Sequence, residues 1–158
     1  MIDTNINYDV IIVGAGPVGL SFACSLIDLN LKVLIIDRSD LSSISNPNPD
    51  GRETALTHNS LKILKKLGVW DFIDQDKVSP LREAKVFDGD SESLLNFAAS
   101  KSSIDALGYL VPSHLIRQAL YQKVSSFENL SIITDLTVDS VETDNLVGQV
   151  TLSDGQIL

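Results

Sequence analysis

The chain is poor in the residues that build cross-links and metal centres: its 158 residues include one cysteine, Cys24, and two histidines, His58 and His114. A lone cysteine excludes an intrachain disulfide and fits a reducing compartment. The two histidines stand apart, with no cysteine or carboxylate cluster at ligand spacing, so they read as polar surface or capping residues and no metal ligand is nominated. Basic residues are also scarce, 12 Lys and Arg against 21 Asp and Glu, for a net charge of −9. That balance opposes the phosphate neutralisation on which DNA and RNA binding rests, and it argues against polybasic attachment to anionic lipid. Long apolar runs are few. From Val10 to Ile27 no residue is charged, a length that could pass for a membrane span. Gly14, Gly16, Pro17 and Gly19 interrupt it, however, Asp9 and Asp28 flank it, and no basic region precedes it as a signal peptide requires. The expectation is a cytoplasmic protein without a targeting segment. Asn129-Leu130-Ser131 matches a glycosylation acceptor, a match without consequence in a protein that is not exported.

What is present is the composition of an ordinary globular domain, 44% hydrophobic and 21% charged. A chain of this length buries roughly 68–70% of its unfolded surface, so a core can form without staples. Tyr8 to Val13 is short, β-branched and mostly apolar, as a central parallel strand is. From Pro17 to about Asn30 the residues Leu20, Ala23, Cys24 and Ile27 recur at helical spacing, with Pro17 at a first helical position. Lys32 to Asp37 then gives a second buried strand and completes a βαβ unit. Ser39 to Gly51, rich in Ser, Asn, Asp and Pro, reads as an irregular loop. A helix follows with Leu61, Leu64 and Leu67 near one face and Gly68 as its stop; Trp70 and Phe72 beyond it read as core aromatics. Ala84 to Phe87 and Leu94 to Phe97 read as strands of a hairpin around Asp88-Gly89-Asp90. Gly108 to Val111 is a short strand leading to Ser113, read as the N-cap of a helix to about Ser126 with Ile116, Ala119, Leu120 and Val124 on its apolar face. Leu130 to Thr134, Leu136 to Val141 and Val147 to Leu152 read as strands, the last pairing with Gln156-Ile157-Leu158 across Ser153-Asp154-Gly155. The fold expected is α/β, a Rossmann-like βαβ unit with a parallel sheet and a small antiparallel β insertion.

Gly14-Ala15-Gly16-Pro17-Val18-Gly19 carries the chemistry. Its G-x-G-x-x-G spacing is weak alone, but it directly follows a strand and opens a helix. Gly14 allows the tight turn, Gly16 lets the backbone approach a diphosphate, and Gly19 lets helix and strand pack closely. The free N–H groups at the helix start face the anion, an effect worth up to ~2 kcal/mol in favourable geometry. Asp37 closes the second strand near the separation at which a carboxylate meets ribose hydroxyls, although a carboxylate at a strand end is often merely solvated. An acidic residue there favours a free ribose over a 2′-phosphate, and FAD and NAD share that half.

Three segments resemble the flavin-dependent aromatic-ring hydroxylases related to para-hydroxybenzoate hydroxylase, and within them the branch that hydroxylates ubiquinone precursors. They are Tyr8 to Arg38 with its terminal Asp37-Arg38; Asp50-Gly51-Arg52-Glu53-Thr54-Ala55-Leu56 with Leu67-Gly68-Val69-Trp70; and Gly108-Tyr109-Leu110-Val111 with the helix bearing Arg117 and Leu120. The resemblance implies FAD as cofactor, held through Gly14, Gly16, Pro17, Gly19, Asp37 and Arg38, with Arg52 beside the flavin and Arg117 near its phosphate and ribose. On the residues alone, Arg52 reads equally as a loop cation held by a nearby carboxylate, and Arg117 as a surface cation. Relatives often carry longer polar side chains where Pro112 and Ser113 stand, and Pro112 has no N–H to donate.

The activity implied is hydroxylation of an electron-rich, small or prenylated aromatic ring with NAD(P)H as reductant and dioxygen as oxidant. The cofactor supplies that chemistry, so no acid, base or nucleophile is nominated; Cys24 reads as a small core residue. Relatives continue into an Asp-Gly strand, a Gly-Asp motif and a substrate-facing sheet, and the chain is expected to end before all three, with Asp154-Gly155 a hairpin turn. In the full-length protein a peripheral contact with a membrane or a biosynthetic complex stays open. Two other readings are an NAD-linked oxidoreductase sharing only the fingerprint and a non-catalytic FAD-binding fragment.

Overall fold

Two runs of β-branched residues seed the fold: Val10-Ile11-Ile12-Val13 and Val33-Leu34-Ile35-Ile36, the second entirely buried. Residues apolar on both faces suit a parallel sheet covered on both sides. A computed structural model of the chain describes residues 7–87, 89, 94–101, 103–144 and 146–158. In chain order the elements are β1 (Val10–Val13), α1 (Pro17–Ser25), β2 (Val33–Ile36), α2 (Leu41–Ser45), β3 (Glu53–Leu56), α3 (His58–Lys66), β4 (Ser79–Leu81), β5 (Glu83–Phe87), β6 (Leu94–Ala98), β7 (Gly108–Pro112), α4 (Ser113–Val124), β8 (Leu130–Ile133), β9 (Val138–Thr143) and β10 (Gly148–Leu152). They form two compact units, one of Met1–Asn48 with Arg117–Leu158, the other of Pro49–Ile116.

The first unit is built on a parallel sheet of order β1-β2-β8, in which Ile12 pairs with Ile35 and Ile35 with Ile132. Alternation along β2 sends Leu34 and Ile36 to one face. There they pack with Val150 and Leu152 of the antiparallel β9–β10 ribbon, joined by Tyr8, Ile11, Ile133, Leu136, Val138 and Leu158. Each such fully buried aliphatic side chain contributes about 1.5–3 kcal/mol. Leu20, Ala23 and Cys24 of α1 and Ala119, Leu120 and Val124 of α4 are likewise buried. Gln156 and Leu158 bond back to Leu152 and Val150 around the Asp154-Gly155 turn, Gly155 at φ +84°.

In the second unit β7 is central to an antiparallel sheet of order β3-β7-β4, and β5 pairs with β6. The expected hairpin turn at Asp88-Gly89-Asp90 lies outside the described residues except for Gly89. Gly68 ends α3 at φ +67°, with its N–H on the Lys65 carbonyl and the Val69 N–H on the Leu64 carbonyl. That bonding pattern satisfies two carbonyls the helix leaves over. Gly108 has a nonlocal reason: a Cβ there would stand 2.3 Å from the Leu56 carbonyl oxygen on β3.

Several expectations need correction. The first helix ends at Ser25 and yields to a tight 3-10 turn over Ile27–Leu29 closed by Asn30 at φ +53°, which leaves Ile27 exposed rather than on the core face. The segment read as an irregular loop contains α2, because the Asp40 carboxylate accepts the Ser43 N–H and caps one turn. Ser113 is the first residue of α4, not its cap: its N–H goes to the Arg52 carbonyl, 2.9 Å, and its hydroxyl pairs with that of Thr54. Trp70 is buried, whereas Phe72 is half exposed. Among the described residues no helix is long and apolar enough to cross a membrane, and the uncharged stretch is a strand, a turn and a nine-residue helix.

Cys24, 1% exposed, has its thiol pushed up to about 11 by burial, which the Lys123 charge and a backbone hydrogen bond offset only in part. At pH 8 the native thiol is therefore expected to resist a disulfide-exchange reagent and to react fully in guanidinium. Rapid labelling of the native chain, followed by absorbance, would show that this face of α1 is open.

Candidate functional site

All three parallel strands end at one edge of their sheet, and the backbone there is tied across strands: the Gly14 N–H donates to the Ile36 carbonyl at 2.7 Å and the Asp37 N–H to the Ile133 carbonyl at 2.9 Å. The crevice at the carboxyl ends of such strands is where ligands of open α/β sheets bind. Gly14 turns the chain at φ +104°, a conformation closed to most side chains. Gly16 is the N-cap of α1 with no side chain capping it, and Pro17 follows as the first helical residue. The opening amides of α1 are thus left to an anion, with the helix field in its favour.

The glycines divide the work. A Cβ on Gly19 would lie 2.0 Å from the Gly14 carbonyl oxygen and 3.2 Å from Cγ2 of Ile12, so only glycine lets α1 sit this close to β1. A Cβ on Gly14 or Gly16 would meet nothing within 4 Å. Open space at Gly16 beside uncapped amides is the shape a diphosphate needs.

Asp37 stands at the end of β2, half-buried, and both its oxygens are engaged. Oδ2 accepts the Ala15 N–H at 2.6 Å and Oδ1 the Ser39 N–H at 2.7 Å. Burial pushes its pKa up, but the Ser39 and Ala15 N–H donors, the Ser39 side chain and the Arg117 charge outweigh that and hold it below the usual carboxylate range. Beside it opens a cleft of about 260 Å³ lined by Val13, Gly14, Asp37, Arg38, Leu136 and Thr137 among others. The loop that supplies Leu136 and Thr137 turns at Asp135, φ +62°, and the Leu136 N–H donates to the Asp37 carbonyl at 3.3 Å.

The three expected arginines differ in setting. Arg38 is exposed at the cleft. Arg117, half-buried on α4, donates from Nη2 to the Ser43 carbonyl at 3.3 Å and makes no direct ion pair among the described residues. Arg52 belongs to the second unit, where Asp50 takes its Nε at 2.7 Å, its Nη2 and its backbone N–H. That is the carboxylate-held loop cation the residues alone allowed, and the pair raises the Arg52 pKa further. Gly14, Gly16, Pro17, Gly19, Asp37, Arg38 and Arg117 thus all lie within the first unit. Sequence reasoning missed Ala15, Ser39, Leu136, Thr137 and Val138; no local spacing links the last three to the glycines more than a hundred residues earlier.

The FAD binding domain model matches residues 7–155. The chain is similar to ubiquinone hydroxylase UbiM of Neisseria meningitidis, 46% identical over 98% of this chain and 34% of that protein. It is also similar to the mitochondrial ubiquinone biosynthesis monooxygenase COQ6 of Dictyostelium discoideum, 31% identical over 96% of this chain and 35% of that one. The chain spans about a third of the length of the curated relatives it matches. Among solved structures, the Diels-Alderase PyrE3 superposes with a TM-score of 0.71 at 21% identity, over 94% of this chain and 30% of that one. At that identity the likeness shows the fold, and a fold hosts many chemistries.

Gly16→Ala and Gly19→Ala separate fold from binding. The first is expected to leave thermal stability unchanged or raised by up to about 1 kcal/mol while weakening nucleotide binding. The second is expected to cost about 1–3 kcal/mol or more, read as a lowered Tm, because a backbone oxygen must move.

Proposed function

The chain belongs to the FAD binding domain family, and from that premise we propose that it holds FAD at the glycine corner, within a full-length flavin-dependent monooxygenase that hydroxylates the aromatic ring of a ubiquinone precursor using NAD(P)H and dioxygen. The observation that carries the reading is the uncapped start of α1 beside an ionised carboxylate: bare amides at Gly16 for a diphosphate, and Asp37 for the adjoining ribose. The names of the relatives, ubiquinone hydroxylase and ubiquinone biosynthesis monooxygenase, support the substrate class.

On this reading Gly14 and Gly19 shape the corner, Gly16 admits the diphosphate, and Pro17 begins the helix without contributing a donor. Arg117, in direct ion pair with no carboxylate among the described residues though near enough to Asp37 to favour its ionised form, supplies permanent positive charge to the phosphates, which matters in a protein of net charge −9. Arg38 borders the cleft beside the ribose. Arg52, in the second unit, has its guanidinium oriented by Asp50. Bound flavin supplies hydride acceptance and oxygen activation, and the protein supplies placement and exclusion of water. A prenylated ring resides in lipid, so the full-length protein would meet its substrate at a membrane surface.

The purified chain titrated with FAD is expected to become yellow and to bind FAD in preference to NAD; binding of NAD alone would return the NAD-linked reading. Arg117→Gln is expected to weaken FAD binding roughly tenfold, with the difference shrinking as salt is added. Hydroxylation of a ubiquinone precursor by the full-length protein with NAD(P)H tests the activity. Its absence in a flavin-loaded full-length enzyme would leave a binding role only.

The pH dependence has a defined sign. Folding lowers the Asp37 pKa, so its contribution to stability is complete above the usual carboxylate range and is lost as pH falls through the lowered folded value. The stability gap between the wild-type chain and Asp37→Asn, measured by urea unfolding, should stay level at neutral and mildly acidic pH and close only below that range.

A further inference from the structure

Ala15 is 2% exposed and lies between the turn glycine and the helix cap. A buried N–H there needs an acceptor, and the one it has is Oδ2 of Asp37, 22 residues along the chain, at 2.6 Å. The other oxygen, Oδ1, holds the Ser39 N–H at 2.7 Å. Two N–H donors arriving at two different oxygens can both be met by a carboxylate, whereas an amide has one oxygen and would turn its NH₂ toward the second donor. The need for an acid at this position therefore arises within the protein, before any sugar is considered. Even with the Ser39 hydroxyl as a third donor, the four lone-pair sites of the carboxylate leave one for a ribose hydroxyl, so the two tasks do not compete.

Resting on the flavin reading above, we propose that Asp37 is the positioning residue of the glycine corner: it holds the Ala15 peptide so that the following amides are already aimed when the diphosphate arrives. With the Ala15 N–H committed to Asp37 and Pro17 lacking one, Gly16, Val18 and Gly19 are the opening donors left for the anion, since the first bond within the helix runs from the Leu20 N–H to the Gly16 carbonyl. An orphaned Ala15 N–H would let the peptide rotate, and the corner would have to be reassembled on binding.

Inorganic pyrophosphate, which has no ribose, separates positioning from sugar binding. In amide NMR of the 158-residue chain, the Ala15 N–H is expected to be protected from exchange and to exchange at least about tenfold faster in Asp37→Asn and Asp37→Ser. Pyrophosphate titrated against the Gly16 and Val18 resonances is expected to bind roughly tenfold more weakly to both variants. Asp37→Glu, which keeps two acceptor oxygens, is expected to recover both properties in part, and it stands in if the shorter variants do not fold. Unchanged Ala15 exchange and unchanged pyrophosphate affinity, with only FAD weakened, would confine Asp37 to the sugar and overturn the inference while leaving the flavin reading intact. A wild-type chain that binds neither pyrophosphate nor FAD would instead overturn the flavin reading, and this inference with it.

Discussion

The close approach of α1 to β1 governs everything at the site. The Gly14 carbonyl lies where a side chain on residue 19 would have to be, so helix and strand meet backbone to backbone. That contact sets the height of α1 above the sheet edge and hence the direction in which its first amides point. A methyl group at Gly19 would lift the helix and re-aim them, whereas the space at Gly16 serves no packing purpose. Gly19 is required by the packing, and Gly16 is not.

Electrostatics at this edge run against the charge of the whole. A chain of net charge −9 is a poor general host for a dianion, yet this corner offers an uncapped helix start and, nearby, Arg117, which makes no direct ion pair among the described residues. Asp37 does not spoil this, because its charge is absorbed by the Ala15 and Ser39 N–H groups and by the nearby arginine. Short-range hydrogen bonds in a partly buried site outweigh the summed surface charge, which solvent and salt screen. Arg52 is the contrast, held in an exposed pair by Asp50.

The second unit shows the same economy in an antiparallel setting. Gly108 allows β7 to run against the Leu56 carbonyl, and Ser113, instead of capping α4, is drawn into the strand ladder through Arg52 and Thr54. A side chain expected to act locally is thus captured by a neighbouring strand, since a cross-strand partner offers both a donor and an acceptor. Pro112, which cannot donate, sits opposite Glu53 at the last ladder position, where the loss is small.

Short-range features were legible in the sequence itself. The glycine spacing, the stop at Gly68, the apolar face of α4 through Ile116, Ala119, Leu120 and Val124, and the carboxylate closing β2 all follow from helix periodicity, permitted backbone angles and strand alternation, which act over a few residues. The resemblance to flavin hydroxylases likewise rested on motifs contiguous in the chain. What tertiary structure alone decided involves partners far apart: Asp37 on Ala15, Leu136 and Thr137 beside Arg38, Gly108 under Leu56, and the early end of α1 at Ser25. Each depends on which strands pair and in what register, and that is settled by burying whole faces of the sheet rather than by any residue's own preference.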